Sequence, residues 1–154
     1  MRARRRRTIA AGPEAVWAVV SDPRTLTTWW PGVERVEEAS AEAWTQVVRS
    51  SKGKALRADF TRTEVDPPKA LAWRQEVDES PFERFLSKAE TRVSLEPAGA
   101  GRTRVEIRAL RRLRGLARLG GPMVRRATRR QLDEALFGLA RTTEGTAGPD
   151  APDP

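Results

Sequence analysis

The chain has 154 residues, a formal net charge of +8 at neutral pH with 29 Lys and Arg, and no Cys, His or Tyr. That length suits one domain burying roughly two-thirds of its unfolded surface and leaves too little for two. The missing residue types exclude a disulfide, a thiol nucleophile, a Ser-His-Asp triad and a zinc site built on His or Cys, so acid–base chemistry falls to Asp, Glu, Lys, Arg or water they hold, and neither a metal nor a cofactor is expected.

The N-terminal MRARRRR is charged and no apolar segment follows it, so it does not read as a secretory signal. No apolar run approaches the ~20 residues that span a bilayer, and a cytoplasmic location is the expectation. Residues 1–11 read as a strand crowded with Arg. Gly12-Pro13 opens a helix, since the missing N–H of Pro13 has no partner to lose in a first turn. Val16, Trp17, Val19 and Val20 then give that helix a face to bury. Pro23 disfavours helical geometry at Asp22 and ends it, and Asp22 is placed to cap a second short helix that stops at Trp29-Trp30-Pro31.

Strands are expected at 33–39, 44–51 and 55–65, the last with Leu56, Ala58 and Phe60 on one face. Asp66-Pro67-Pro68-Lys69 is a turn. Leu71, Trp73, Gln75 and Val77 alternate against Ala72, Arg74 and Glu76. The loop at 79–87 carries Phe82, Phe85 and Leu86, apolar for a connector. Ala89, Thr91, Val93 and Leu95 form another alternating strand. A hairpin turn at 97–101 leads to the last, with Thr103, Val105, Ile107 and Ala109 on one face. Beyond Arg114 the period changes. A turn at 116–119 precedes a long helix over roughly 122–144, striped by Val124, Thr128, Leu132, Leu136 and Leu139. Residues 145–154 hold Gly, Pro and Asp with nothing apolar but Ala, and read as a disordered tail after a single domain at 1–144.

One strand, two short helices, about six antiparallel strands and one long helix make an α+β layout. One sheet face alternates apolar and needs a cover. Only the final helix is long enough to supply it, and a curved sheet gripping a helix leaves room for a ligand between them. With IAAGPEAVWAVVSDPRTLTTWWPGV at 9–33, VDPPKALAWR at 65–74 and the long final helix, the chain resembles the START-like helix-grip (SRPBCC) superfamily in its polyketide cyclase/dehydrase branch. The resemblance covers residues 2–144. It implies a curved antiparallel sheet of about seven strands wrapped around the C-terminal helix. It also implies a cavity for a hydrophobic small molecule such as a polyketide, lipid, sterol or isoprenoid. Aromatase/cyclase relatives commonly use a cavity Arg with Tyr or His, and this chain has neither of the latter.

Inward parity places Trp44, Phe60, Leu71, Trp73, Val105 and Ile107 on the cavity wall or in plain core, with Leu132 and Leu136 facing them from the helix and Trp29 and Trp30 at the entrance. Polar residues of the same parity are Gln46, Arg62, Gln75, Thr91 and Thr103, with Gln131 on the helix. Each needs a partner, because an unpaired buried polar group costs about 1–3 kcal/mol. Arg62 and Gln75 are the catalytic candidates, since a guanidinium stabilises a carboxylate or an enolate. Glu64 shares the parity of Arg62 and offers it a purely structural ion pair. Arg5 and Arg7 share the parity of Ile9; a regular strand sends Arg7 to the cavity or its rim, and a bulge or frayed start turns it outward.

The resemblance makes the first and last strands neighbours. Arg4 and Arg6 then lie beside Arg104, Arg108 and Arg112 on an outer basic face, either simply solvated or able to dock an acidic acyl carrier protein. An anionic membrane or RNA is a weaker match, and no aromatics interleave with these Arg for base stacking. Three functions follow in order: a binder of a hydrophobic small molecule, with polyketide cyclase or dehydratase action left open, a non-catalytic lipid or quinone carrier, and a basic RNA- or ribosome-associated protein.

Overall fold

A computed structural model describes residues 1–147, with side chains to Glu144. Seven strands form one antiparallel sheet: β1 (Arg2–Ile9), β2 (Val33–Glu37), β3 (Ala43–Arg49), β4 (Ala55–Asp66), β5 (Ala70–Glu76), β6 (Leu86–Pro97) and β7 (Thr103–Leu113), in spatial order β1-β7-β6-β5-β4-β3-β2. Helix α1 (Pro13–Val20) follows β1 with Pro13 in its first turn. Asp22 then caps a 3-10 turn, its Oδ1 accepting the Arg24 N–H at 3.0 Å, before the single turn of α2 (Leu26–Trp29). A 3-10 turn, Gly115–Gly120, leads into α3 (Gly121–Ala147). The helix therefore runs past Glu144 to Ala147; the rest of the expected disordered tail lies outside the described residues.

Strand order makes every connection a hairpin except the one through α1 and α2. That segment carries the chain from one edge of the sheet, β1, to the other, β2, so the two short helices close one end of the sheet. The stripe along α3 is buried at Thr128, Leu132, Leu136 and Leu139 and only partly at Val124. The long helix packs mainly on β1 and α2, with further contact to β7 and α1. It therefore covers the β1–β7 side and leaves the β3–β5 side less filled. Where α3 crosses α2 the approach needs glycine: a Cβ on Gly138 would lie 2.6 Å from the Trp29 carbonyl oxygen.

Two expectations about side-chain direction change. In β4 the register slips between Arg62 and Glu64, with Arg62 opposite Trp73 and Glu64 opposite Ala72. The extra residue, Thr63, reverses the parity. Glu64 therefore points to the outer face and pairs with Arg92 at 2.9 Å, not with Arg62. In β1 the pairing with β7 is unbroken, Arg5 opposite Ile107 and Arg7 opposite Val105, so neither residue turns outward. Arg5 reaches Asp133 of α3 at 3.3 Å, and the Arg7 guanidinium lies 5.5 Å from the Phe137 ring centroid, both at the sheet edge.

Candidate ligand-binding site

Inward residues of the sheet fall in rows across the strands, and the rows change character along it. Leu71, Val93 and Ile107 are directly opposite one another and fully buried. One row on, Trp73, Thr91 and Ala109 align and remain buried. Ala89 pairs with Arg111 in the following row, and extending the β5–β6 register one residue past Arg74 and Glu90 brings Gln75 beside Ala89. With only a methyl group between them, Gln75 and Arg111 flank a gap that no side chain of that row fills.

A cavity of about 350 Å³ lies there, bounded by Trp30, Phe60, Trp73, Gln75, Thr91 and Arg111 together with Gln131 of α3. Gln46, Val48 and Ala58 extend it toward β3 and β4, and Phe82, Phe85 and Leu86 wall it from the loop before β6. A larger groove of about 620 Å³ runs over Arg2, Arg4, Arg92 and Arg108, but charged side chains dominate its walls and it lacks aromatic surface. The smaller cavity has what an organic ligand needs: flat apolar walls and a few convergent polar groups.

Its aromatic wall is fixed by ring-on-ring packing. Trp30 meets Trp73 edge to face at 5.6 Å, Trp73 meets Trp44 at 5.9 Å, and Trp44 stacks on Phe60 at 5.9 Å. Aromatic pairs in these geometries contribute about 0.5–1.5 kcal/mol each beyond area burial, so the wall is stiff.

Two polar groups border the cavity, an amide without a partner and a guanidinium without a carboxylate. Gln75 Nε2 is buried without a hydrogen-bond partner. Arg111 donates from Nη1 to the Glu90 and Leu110 carbonyl oxygens at 2.8 and 3.0 Å. No carboxylate among the described residues lies within 4.0 Å of it, since every described Asp or Glu ion pair goes to another cation. Desolvation, the sole cause, pushes the Arg111 pKa down to about 10. An unopposed cation and an unused amide donor therefore flank one cavity, an arrangement suited to a carbonyl, carboxylate or phenolate oxygen.

Of the candidates read from sequence, Trp30, Phe60, Trp73, Gln75, Thr91 and Gln131 line this cavity. Trp29, Trp44, Leu71, Val105, Ile107, Leu132 and Leu136 do not, and belong to the buried core around it. Trp29 lies behind Gly138, its indole N–H 3.3 Å from Thr25 Oγ1. Thr103 spends its hydroxyl on the Ala11 carbonyl at 2.7 Å.

Arg62 also stands outside the cavity. Its Nη2 donates to the Ser21 carbonyl oxygen at 2.9 Å and its guanidinium lies 5.6 Å from the Trp44 ring centroid, on the α1–α2 side. Desolvation lowers its pKa against the opposing pull of Asp22. Gln75 and Arg111 thus border one cavity, whereas the Arg62 guanidinium is turned to the Ser21 carbonyl and the Trp44 ring. The signal for Arg111 lies in the sequence, because the alternation Thr103, Val105, Ile107, Ala109 continues to it.

On the outer face Arg4, Arg6, Arg104, Arg108 and Arg112 are all exposed, and Arg4, Arg108 and Arg92 stand directly opposite one another across three strands. Acids interrupt that face: Glu106 holds Arg108 at 2.5 Å and approaches Arg6 at 3.8 Å.

Sheet, gripped helix and the cavity beside it together define a helix-grip fold. A family model described as polyketide cyclase / dehydrase and lipid transport matches residues 1–144, and the chain belongs to that family. Similar solved structures include a START superfamily protein from Mycobacterium smegmatis, with TM-score 0.77 and 16% identity over 94% of this chain and 98% of that one. A conserved protein from Geobacillus kaustophilus gives TM-score 0.78 at 14% identity over 95% and 97%. The Zhui aromatase/cyclase of a Streptomyces species gives TM-score 0.69 at 18% identity over 96% and 93%. At these identities the likeness shows the fold alone. No curated protein matches the chain.

Proposed function

We propose that this protein binds a hydrophobic small molecule of polyketide, lipid or isoprenoid type, its apolar body against Trp30, Trp73, Phe60, Phe82 and Phe85 and an oxygen-bearing head at Arg111 and Gln75. The observation that carries this reading is the buried Gln75 Nε2, left without a partner in an aromatic-walled cavity beside a cation that has no carboxylate. A folded chain tolerates such groups at a site where a ligand completes them.

The same two donors would polarise a carbonyl in a cyclase or dehydratase. The lining residues include no Asp, Glu, Lys or His to serve as a base, which favours holding and presenting a ligand over proton-transfer catalysis. Cyclisation at this site would rest on folding an extended substrate into a reactive shape, an effect of orientation.

Native mass spectrometry of the protein as purified under gentle conditions tests the binding reading. A bound mass that dissociates as an apolar compound with an acidic or carbonyl oxygen is the expected result. A bare chain that also takes up neither a long-chain fatty acid nor a polycyclic phenol on addition overturns it.

A further inference from the structure

The stretch from Gly115 to Met123 leaves three large apolar side chains in water: Leu116 is 86% exposed, Leu119 82% and Met123 78%. They recur at i, i+3 and i+7 through the 3-10 turn and the first turn of α3, the spacing of one helical face. None belongs to the buried core. Gly115, at φ +63°, makes the turn that carries this face away from the end of β7.

The charge around that face has one sign. Between Glu106 and Asp133 the sequence has nine Arg and no acid. Arg114, Arg118, Arg125 and Arg126 are exposed, and among the described residues none has a carboxylate within 4.0 Å. Arg130 reaches Glu134 only at 3.9 Å. Unpaired guanidinium groups set around protruding aliphatic side chains match the boundary between anionic headgroups and acyl chains, where each kind of group finds its counterpart. An acidic protein or RNA would answer the cations and leave Leu116, Leu119 and Met123 without a partner. No aromatic residue lies between Glu106 and Asp133 to stack on a base.

We propose that this segment docks the protein on an anionic lipid surface, Leu116, Leu119 and Met123 entering the headgroup boundary and Arg114, Arg118 and Arg126 meeting lipid phosphates. The attachment is peripheral, since no helix among the described residues is long and apolar enough to cross a membrane. Docking here also brings the cavity to the lipid. The Arg114 N–H donates to the Phe85 carbonyl at 2.9 Å, and Phe85, 44% exposed, is part of the cavity wall. A ligand would then pass between bilayer and cavity beside Phe82 and Phe85. That last consequence rests on the binding function proposed above; the docking does not.

The test is flotation of the full chain with vesicles of phosphatidylcholine alone and of phosphatidylcholine mixed with phosphatidylserine. Affinity for the mixed vesicles exceeds that for neutral ones by roughly tenfold or more and falls as salt rises. The triple variant L116S/L119S/M123S and the triple variant R114Q/R118Q/R126Q each lose most of it while keeping the wild-type circular dichroism and melting temperature. Equal binding to both vesicle types, binding to neither, or full binding by the apolar triple variant overturns the proposal. Retention on an acidic protein column without vesicle binding overturns it in favour of a protein partner. All of these outcomes leave ligand retention in the cavity, read by mass, to stand or fall separately.

Discussion

Arg111 and Gln75 burden the fold. Burial lowers the Arg111 pKa to about 10, which means that the charged side chain is held at neutral pH against a desolvation penalty. Gln75 adds an amide donor with no acceptor. An unsatisfied buried polar group costs about 1–3 kcal/mol, and an apolar replacement of similar shape removes that penalty. Gln75→Leu is expected to raise Tm by a few degrees and Arg111→Met to leave it nearly unchanged, since relief of the desolvation penalty is offset by loss of the bonds to the Glu90 and Leu110 carbonyls. Both should weaken retention of an oxygen-headed ligand, the trade expected of a site kept for function. Scanning calorimetry beside a ligand titration reads both, and a lowered Tm in both variants would make these residues structural.

Arg62 is expected to behave in the opposite way. Its hydrogen bond to the Ser21 carbonyl and its place over Trp44 tie β4 to the end of α1. Arg62→Ala should cost about 1–3 kcal/mol of stability, visible as a lower denaturation midpoint, and leave ligand affinity within about twofold of wild type. Inward parity finds both Arg62 and Gln75 in the sequence. What parity cannot tell is that the Arg62 side chain turns to the Ser21 carbonyl and the Trp44 ring while the open gap lies in the neighbouring row, between Gln75 and Arg111.

Among the elements, α3 and β4 decide the geometry. Gly138 lets α3 approach α2 closely, and a methyl there would press on Trp29 backbone atoms at 2.6–3.2 Å. Gly138→Ala gains up to about 1 kcal/mol of helix propensity. The overpacking it forces costs about 1–3 kcal/mol and cannot be relieved by a side-chain rotation, because the obstacle is backbone. The net effect is expected to be a lower Tm, with α2 and the adjoining Trp30 wall displaced.

The strands carry the pH dependence. Hydrogen bonds from Arg92 hold Glu64 below its ordinary pKa of 4.5, and those from Arg74 and Thr61 do the same for Glu76. A carboxyl whose folded pKa is depressed contributes stability above its unfolded pKa and loses it as pH falls through the folded value. The contribution of these pairs to Tm should therefore be level above about pH 5.5 and should decline below about pH 4.5. These pairs are surface pairs and the decline is shallow. A Tm that rises on acidification through this range would contradict the assignment.

At the scale of the whole molecule, the helix-grip layout is largely legible because its parts announce themselves locally. Gly12-Pro13 and Asp22-Pro23 punctuate the two short helices, period-two alternation marks the strands, and a helical stripe marks α3. The site is less legible for a geometric reason. Every inward residue has the same alternation signature, and whether it becomes core or cavity depends on what lies above it. Val105 and Ile107 are covered on the β1–β7 side where α3 packs, whereas Gln75, Phe60 and Thr91 border the part that α3 leaves open. The Thr63 bulge is equally invisible in composition, and it alone sends Glu64 to Arg92. The basic outer face likewise proves mixed once register is known, because Glu106 stands opposite Arg6.

The proposed binding mode places an oxygen of the ligand at Arg111 and Gln75 inside an aromatic-walled cavity. Titration calorimetry with a long-chain fatty acid and the alcohol of the same chain length, on wild type and Arg111→Met, tests this most directly. Wild type should bind the acid roughly tenfold or more tightly than the alcohol, in keeping with the ~1.5–3 kcal/mol of a hydrogen bond to a charged group, and Arg111→Met should erase the preference. Equal affinity of wild type for acid and alcohol, or an acid preference that survives in Arg111→Met, would contradict it.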